Sequence, residues 1–294
     1  MLNIFFNLIS IIFPIFIIVI LGLLWNRFNN NLNEQEIIKL ITWIGAPALI
    51  FNTLINIDIS LTLLKNIAIS AFLLTTLMLI FSYIILKIFN ESVRPLINPM
   101  AFQNSGNLGL TICLFSFGQL GLEISVIYFM ITSVLHFTLG LTIWSGNLSI
   151  KYLIKAPVIY AVGFGLFVNI NNINLPQTLT NTTSVLAGIT IPLLLFTMGA
   201  SLSKINFKLE LKIILLVLIR TILAITIAYF LTILLNIDGI AQKIILLQGV
   251  LPAPIFTYMF AIQYQVSPEK VANYLMTSTI ISIITITMFL TVII

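Results

Sequence analysis

The chain has 294 residues, 60% hydrophobic and 7% charged, with a mean hydropathy of +1.18 and a formal net charge of +5. Soluble proteins carry nearer ~25% charged residues, so too little polar surface exists here to face water, and a soluble globular domain is excluded. The solvent is lipid, and the positive charge reads as topology rather than as a nucleic-acid surface.

A spanning helix needs roughly 20 apolar residues. Polar punctuation divides the chain into ten candidate segments. The first, 4–25, has no basic residue before it and no small-residue cleavage site behind it, so a retained helix is expected rather than a signal peptide. Segments 2 and 3 follow at 36–55 and 63–89. Segment 4, at 97–117, holds AFQNSGNLGLT (101–111) in its middle. Segment 5, at 122–146, contains His136, the single histidine. Segments 6 to 8 run at 156–170, 183–202 and 210–235, the last with Arg220 near its centre. Segment 9, at 240–262, holds LPAPIFTY, and segment 10 runs at 270–293. These are continuous apolar runs rather than alternating ones, so the expected class is an all-α integral membrane protein, not a barrel.

The basic residues fix an orientation. With the amino terminus outside, the inner loops and helix ends carry Arg27, Lys39, Lys87, Arg94, Lys151, Lys155, Lys204, Lys208, Lys212 and Lys270. The outer side has Lys65 and Lys243. Such a bias supports ten spans in a cytoplasmic (inner) membrane with both termini on the non-cytoplasmic side.

An internal repeat is visible. PIFIIVILGLLW (14–25) matches PVIYAVGFGLFV (157–168), and PALIF (47–51) matches PLLLF (192–196) in nearly the same register. The halves are 1–149 and 150–294, five helices each. Five is odd, so the second half enters the membrane from the opposite side, an inverted-topology plan common among secondary transporters.

The fourth helix of each half is interrupted. Gly106 and Gly109 weaken segment 4 and allow close backbone approach. Pro252 and Pro254 remove two donors from segment 9. Irregular backbone at membrane depth is tolerated where it is buried or lines a polar cavity, and paired interruptions at matching positions point to a transport site. Asn104, Ser105, Asn107 and Thr257 are therefore the candidate substrate ligands, near half-helix starts whose amides carry partial positive charge. Polar residues that only glue helices together are the alternative.

The motifs NSGNLGL (104–110), IPLLLFTMGASLS (191–203) and LPAPIFTYMFAIQYQVSP (251–268) through TSTIISIITI (277–286) resemble those of the auxin efflux carrier family. The bacterial branch of that family includes small-anion permeases. The resemblance covers essentially the whole chain. It implies ten helices, two inverted five-helix repeats, crossed broken helices 4 and 9, and elevator-like transport of organic anions. Family members can pair through scaffold helices, which implies a homodimer as one arrangement. Two residues depart from the family pattern. Thr111 stands where Pro is usual, and Phe256 where many members have Asn or Ser, so the site is greasier on that side.

Arg220 adds to the candidate ligands. An intramembrane Arg costs at least ~2.5 kcal/mol on insertion scales and faces protein or water. It reads as an attractor for an anionic substrate, with snorkelling, an ion pair or carbonyl capping as the other roles. All eight carboxylates fall in loops or at helix ends. Without a mid-membrane acid, cation–proton exchange has no binding chemistry, although sodium held by carbonyl, Asn or Thr oxygens remains open. His136 is a candidate for a coupling proton, or is simply hydrogen-bonded. Trp25, Trp43 and Trp144, near expected helix ends, read as interfacial anchors. One cysteine and one histidine leave no metal cluster, no disulfide, no cofactor site and no enzymatic constellation. The leading expectation is a secondary carrier of a small organic anion such as a mono- or dicarboxylate, working by alternating access. A sodium-coupled organic-solute symporter and a non-transporting receptor or channel are the alternatives.

Overall fold

The computed structural model describes residues 2–29, 33–146, 157–205 and 207–293. The helices are α1 (Leu2–Asn29), α2 (Glu34–Leu40), α3 (Ala46–Ile55), α4 (Leu61–Ile88), α5 (Val93–Ala101), α6 (Leu110–Leu135), α7 (Leu141–Ser145), α8 (Pro157–Ile170), α9 (Gln177–Leu202), α10 (Leu211–Leu234), α11 (Gly239–Val250), α12 (Ile255–Gln263) and α13 (Pro268–Ile293). Single π-helical turns at Ile41–Gly45, Ser105–Gly109 and His136–Gly140 join α2 to α3, lead into α6, and join α6 to α7. No strand occurs among the described residues.

Among the described residues, six helical stretches are long and apolar enough to cross a membrane, and α11 with α12, bent by 43°, makes a seventh. The ten expected segments map onto these with three adjustments. The stretch Val93–Ser145 is long enough to cross twice, and it is kinked at Gly118, whose φ of +65° suits glycine. The apolar parts of α1 and α8, Ile12–Phe28 and Pro157–Ile170, are shorter. The half boundary at 149/150 and the basic residues Lys151 and Lys155 lie outside the described residues.

Local chemistry sets the helix ends. Ser60 begins α4 by accepting from the Leu63 N–H at 3.3 Å. Asn90, Asn172 and Asn236, each with φ near +50°, end α4, α8 and α10. There the N–H of the following residue reaches back five positions, as from Glu91 to the Leu86 carbonyl at 2.8 Å. The helices α1 and α9 pack at backbone distance, because glycines face each other's chain at Gly22 and Gly199. Gly165 of α8 likewise lies against Leu54 of α3. The helices α4, α5, α6 and α10 to α13 surround the two interruptions.

Of the tryptophans, Trp25 and Trp43 are exposed as expected of lipid-facing rings, although Trp43 lies mid-segment. Trp144 corrects the interfacial expectation. It is fully buried, and its indole N–H donates to the Arg94 carbonyl while Arg94 Nη2 donates back to the Trp144 carbonyl. A buried indole needs a partner for its N–H, and the start of α5 supplies it.

One ion cluster closes an end of the bundle. Glu91, between α4 and α5, accepts from Lys212 of α10 at 2.7 Å and from Lys270 of α13, which also donates to Ser92. Burial pushes the Glu91 carboxyl up, but the two ammonium groups outweigh it and hold the group below the ordinary carboxylate range. A depressed folded-state pKa stabilises above the unfolded value, and the contribution is lost as pH falls through the folded one. Glu91→Gln is expected to lower stability by about 1–3 kcal/mol at pH 7, between an exposed and a buried pair. Melting curves would show the difference shrink below the ordinary carboxylate range. An equal difference at pH 7 and at strongly acid pH would contradict this role.

Candidate functional site

The two interruptions meet. After Ala101 the backbone of α5 turns extended at Phe102, with ψ of 147°. After Val250 that of α11 does the same at Leu251, and it stays extended to Pro254. Prolines at 252 and 254 cannot donate and disfavour helix geometry in the residues before them. The Asn104 N–H donates to the Pro252 carbonyl at 2.8 Å, so the breaks are hydrogen-bonded to each other. Asn104 then starts the next helical stretch, its side chain accepting from the Asn107 N–H at 3.2 Å. The break therefore lies at 102–104, ahead of the glycines. Gly109 serves close approach, since a Cβ there would lie 3.0 Å from Leu251 Cδ1.

Arg220 of α10 joins the same two ends from behind. Its Nε donates to the Met100 carbonyl at 3.1 Å, and its Nη1 donates to those of Gly249 at 3.1 Å and Leu251 at 2.6 Å. These are orphan carbonyls at the carboxyl ends of α5 and α11. Each helix end carries roughly −0.5 charge, so one guanidinium faces about one unit of opposite dipole charge. No carboxylate is needed beside it.

A cavity of about 50 Å³ opens beside the first break. All three π-helical turns border it, through Thr42, the 105–107 stretch, and His136 with Phe137. Such turns place side chains that a regular helix would not. The 50 Å³ would take a few waters, not an organic solute, so a solute enters only when the walls part. Three lining residues keep buried polar atoms without a protein partner. They are Gln103 at both amide atoms, Asn107 at Oδ1 and His136 at Nε2. Buried polar groups are normally paired, so these atoms await water or a ligand.

A family profile described as membrane transport protein matches residues 145–290. That match, over just under half of the chain, supports an auxin efflux carrier family transporter. No curated protein matches it. The matched family is one of membrane transporters, not enzymes, and the many apolar helices make this chain a multi-pass membrane protein.

The structure brings most of the sequence-selected residues of the carrier together. Asn104, Ser105, Gly106, Asn107, Pro254 and His136 all line the cavity. Ser105 Oγ is already hydrogen-bonded with Thr132 at 3.0 Å, and Asn107 Nδ2 donates to the Leu194 carbonyl at 3.0 Å. Thr257 stands apart from the lining, fully buried, with its hydroxyl donating to the Pro254 carbonyl at 2.6 Å. Arg220 is also outside the lining, and its Nε and Nη1 donate to backbone carbonyls. Pro252, the partner of Asn104, belongs to the break rather than the cavity wall. Thr111, the departure after NSGNLGL, donates to the Asn107 carbonyl at 2.9 Å, a bond that Pro could not make. His136 stacks on Phe102 with centroids 4.3 Å apart. Sequence reasoning missed Gln103. Its signal was present: an amide in an apolar run, beside the Asn cluster.

Proposed function

We propose that the carrier moves a small organic anion, a carboxylate, by alternating access, with its site where the two interrupted helices meet. The single observation that carries this reading is the cavity at the break. Half-helix starts and unpaired amide groups converge there, while Arg220 neutralises the opposite, negative ends. The partial positive charge of the starts is thereby left for an anion. Asn104 and Asn107 are the proposed ligands, with Ser105 beside them. Arg220 and Thr257 hold the broken backbone in place. His136 is the proposed proton-coupling residue, since it is the one histidine and it lines the cavity.

The two breaks are proposed to be the crossed fourth helices of inverted repeats, 1–149 and 150–294, with both termini on the outer side of the cytoplasmic membrane. The hydrogen bond from Asn104 to Pro252 and the Arg220 clamp across both helix ends support that arrangement. The cavity is too small for a solute in this conformation, which fits a carrier that rearranges to load.

Counterflow in proteoliposomes tests the reading. Labelled carboxylate is expected to accumulate transiently against an unlabelled load, with saturation. Asn107→Ala is expected to raise the apparent KM about tenfold, the cost of one lost polar contact to a charged group. Carboxylate counterflow absent, with sodium-dependent uptake of a neutral solute present, would replace the anion reading with the symporter one.

A further inference from the structure

The cavity has a donor supply for one carboxylate and an apolar wall for the rest of the molecule. Its wholly unpaired buried side-chain donors are the Gln103 amide and, in the tautomer with hydrogen on Nε2, His136, beside the second N–H of the Asn104 and Asn107 amides proposed as ligands; Asn107 Oδ1 only accepts. No charged side chain is among the described lining residues. Phe102, Phe129, Phe137 and Phe256 make up much of the remaining wall.

These rings hold each other. Phe102 stacks on His136, Phe137 meets Phe256 edge-on at 6.2 Å, and Phe260 contacts Phe137 at 5.8 Å and His136 at 5.7 Å. Gly140 seats the stack. A Cβ there would lie 2.8 Å from His136 Cδ2 and 3.2 Å from Phe102 Cε2.

We propose that this aromatic wall makes the cavity select a monocarboxylate with an apolar body over a dicarboxylate, with Phe256 and the Phe102–His136 stack as its specificity-determining residues. The inference rests on the carboxylate reading above. A second carboxylate would lie against phenyl faces, whose negative quadrupole and lack of donors leave it unpaired. An aliphatic or planar body would bury its surface on the same faces.

Titration calorimetry on the purified full-length chain tests it, with hexanoate, succinate and acetate as probes. Hexanoate is expected to bind at least about tenfold tighter than succinate, a modest ratio for a site that strands a polar group. Phe256→Asn, at a partly exposed position, is expected to bring that ratio to within about threefold, because it adds a donor and removes a ring. Gly140→Ala displaces the stack, and the His136 donor with it, and is expected to weaken hexanoate about tenfold and acetate clearly less, since acetate lacks the body that the wall reads. Succinate binding as tightly as hexanoate overturns this inference and leaves the carboxylate reading standing. An unchanged ratio in Phe256→Asn overturns the role of the wall. If none of the three acids binds while a cation or neutral solute does, both readings fall together.

Discussion

Arg220→Gln is expected to abolish counterflow and to destabilise the folded carrier by about 3–5 kcal/mol, the cost of breaking a buried charged arrangement from one side. The reason is positional. Three carbonyls, at Met100, Gly249 and Leu251, lose their charged donor together, and they belong to both interrupted helices. Glutamine has one amide nitrogen and a shorter reach, so it satisfies at most part of that set. The two helix ends also lose their neutralising charge, and their negative dipole ends then oppose an anion held at the neighbouring starts. Arg220→Lys keeps the charge without the fork, and is expected to recover part of the stability and a measurable fraction of transport. Wild-type melting and wild-type counterflow in Arg220→Gln, at matched protein amounts, would remove Arg220 from the account.

Gly199→Ala is expected to be at least as damaging, at or above ~3 kcal/mol, the upper end of overpacking costs. A Cβ on Gly199 would lie 1.8 Å from the Val19 carbonyl oxygen, and one on Gly22 would lie 2.0 Å from that of Phe196. Both obstacles are backbone, so no side chain can swing away. The helices α1 and α9 would have to part along their length. Gly163→Ala is the control, because a Cβ there meets nothing within 4 Å, and alanine in a helix is favoured by up to about 1 kcal/mol. Yield of folded protein and melting temperature read both changes. Equal behaviour of the two alanine variants would show that the α1–α9 seam is loose.

Much of this was legible in the sequence, because membrane proteins write their architecture in composition. Apolar runs give the helices, and prolines at 252 and 254 mark one break directly, since each lacks a backbone donor. The other break was placed a few residues late. Gly106 and Gly109 drew it toward themselves, whereas the extended backbone lies at 102–104 and the glycines serve contact with Phe129 and Leu251. The π-helical turns left no mark, because one extra residue in a turn does not disturb hydropathy. Arg220 was recognisable as an intramembrane charge, but its partners were not, since backbone carbonyls carry no sequence signature. Trp144 misled for a related reason: nearness to a helix end suggests an interface, and only tertiary packing with Arg94 shows burial. His136 was visible as a singular residue, while the rings around it come from three separate stretches of chain.

The most direct test of the site at the meeting point is carboxylate-dependent thermal stabilisation of the purified carrier beside the Asn104→Ala, Asn107→Ala double variant. Ligand bound to the native state raises the melting temperature by mass action, so the shift reports binding without assuming transport. Stabilisation of the wild type by carboxylates, with the shift lost in the double variant, is the predicted result. Equal stabilisation of both proteins, or none of the wild type by any carboxylate, would contradict the account.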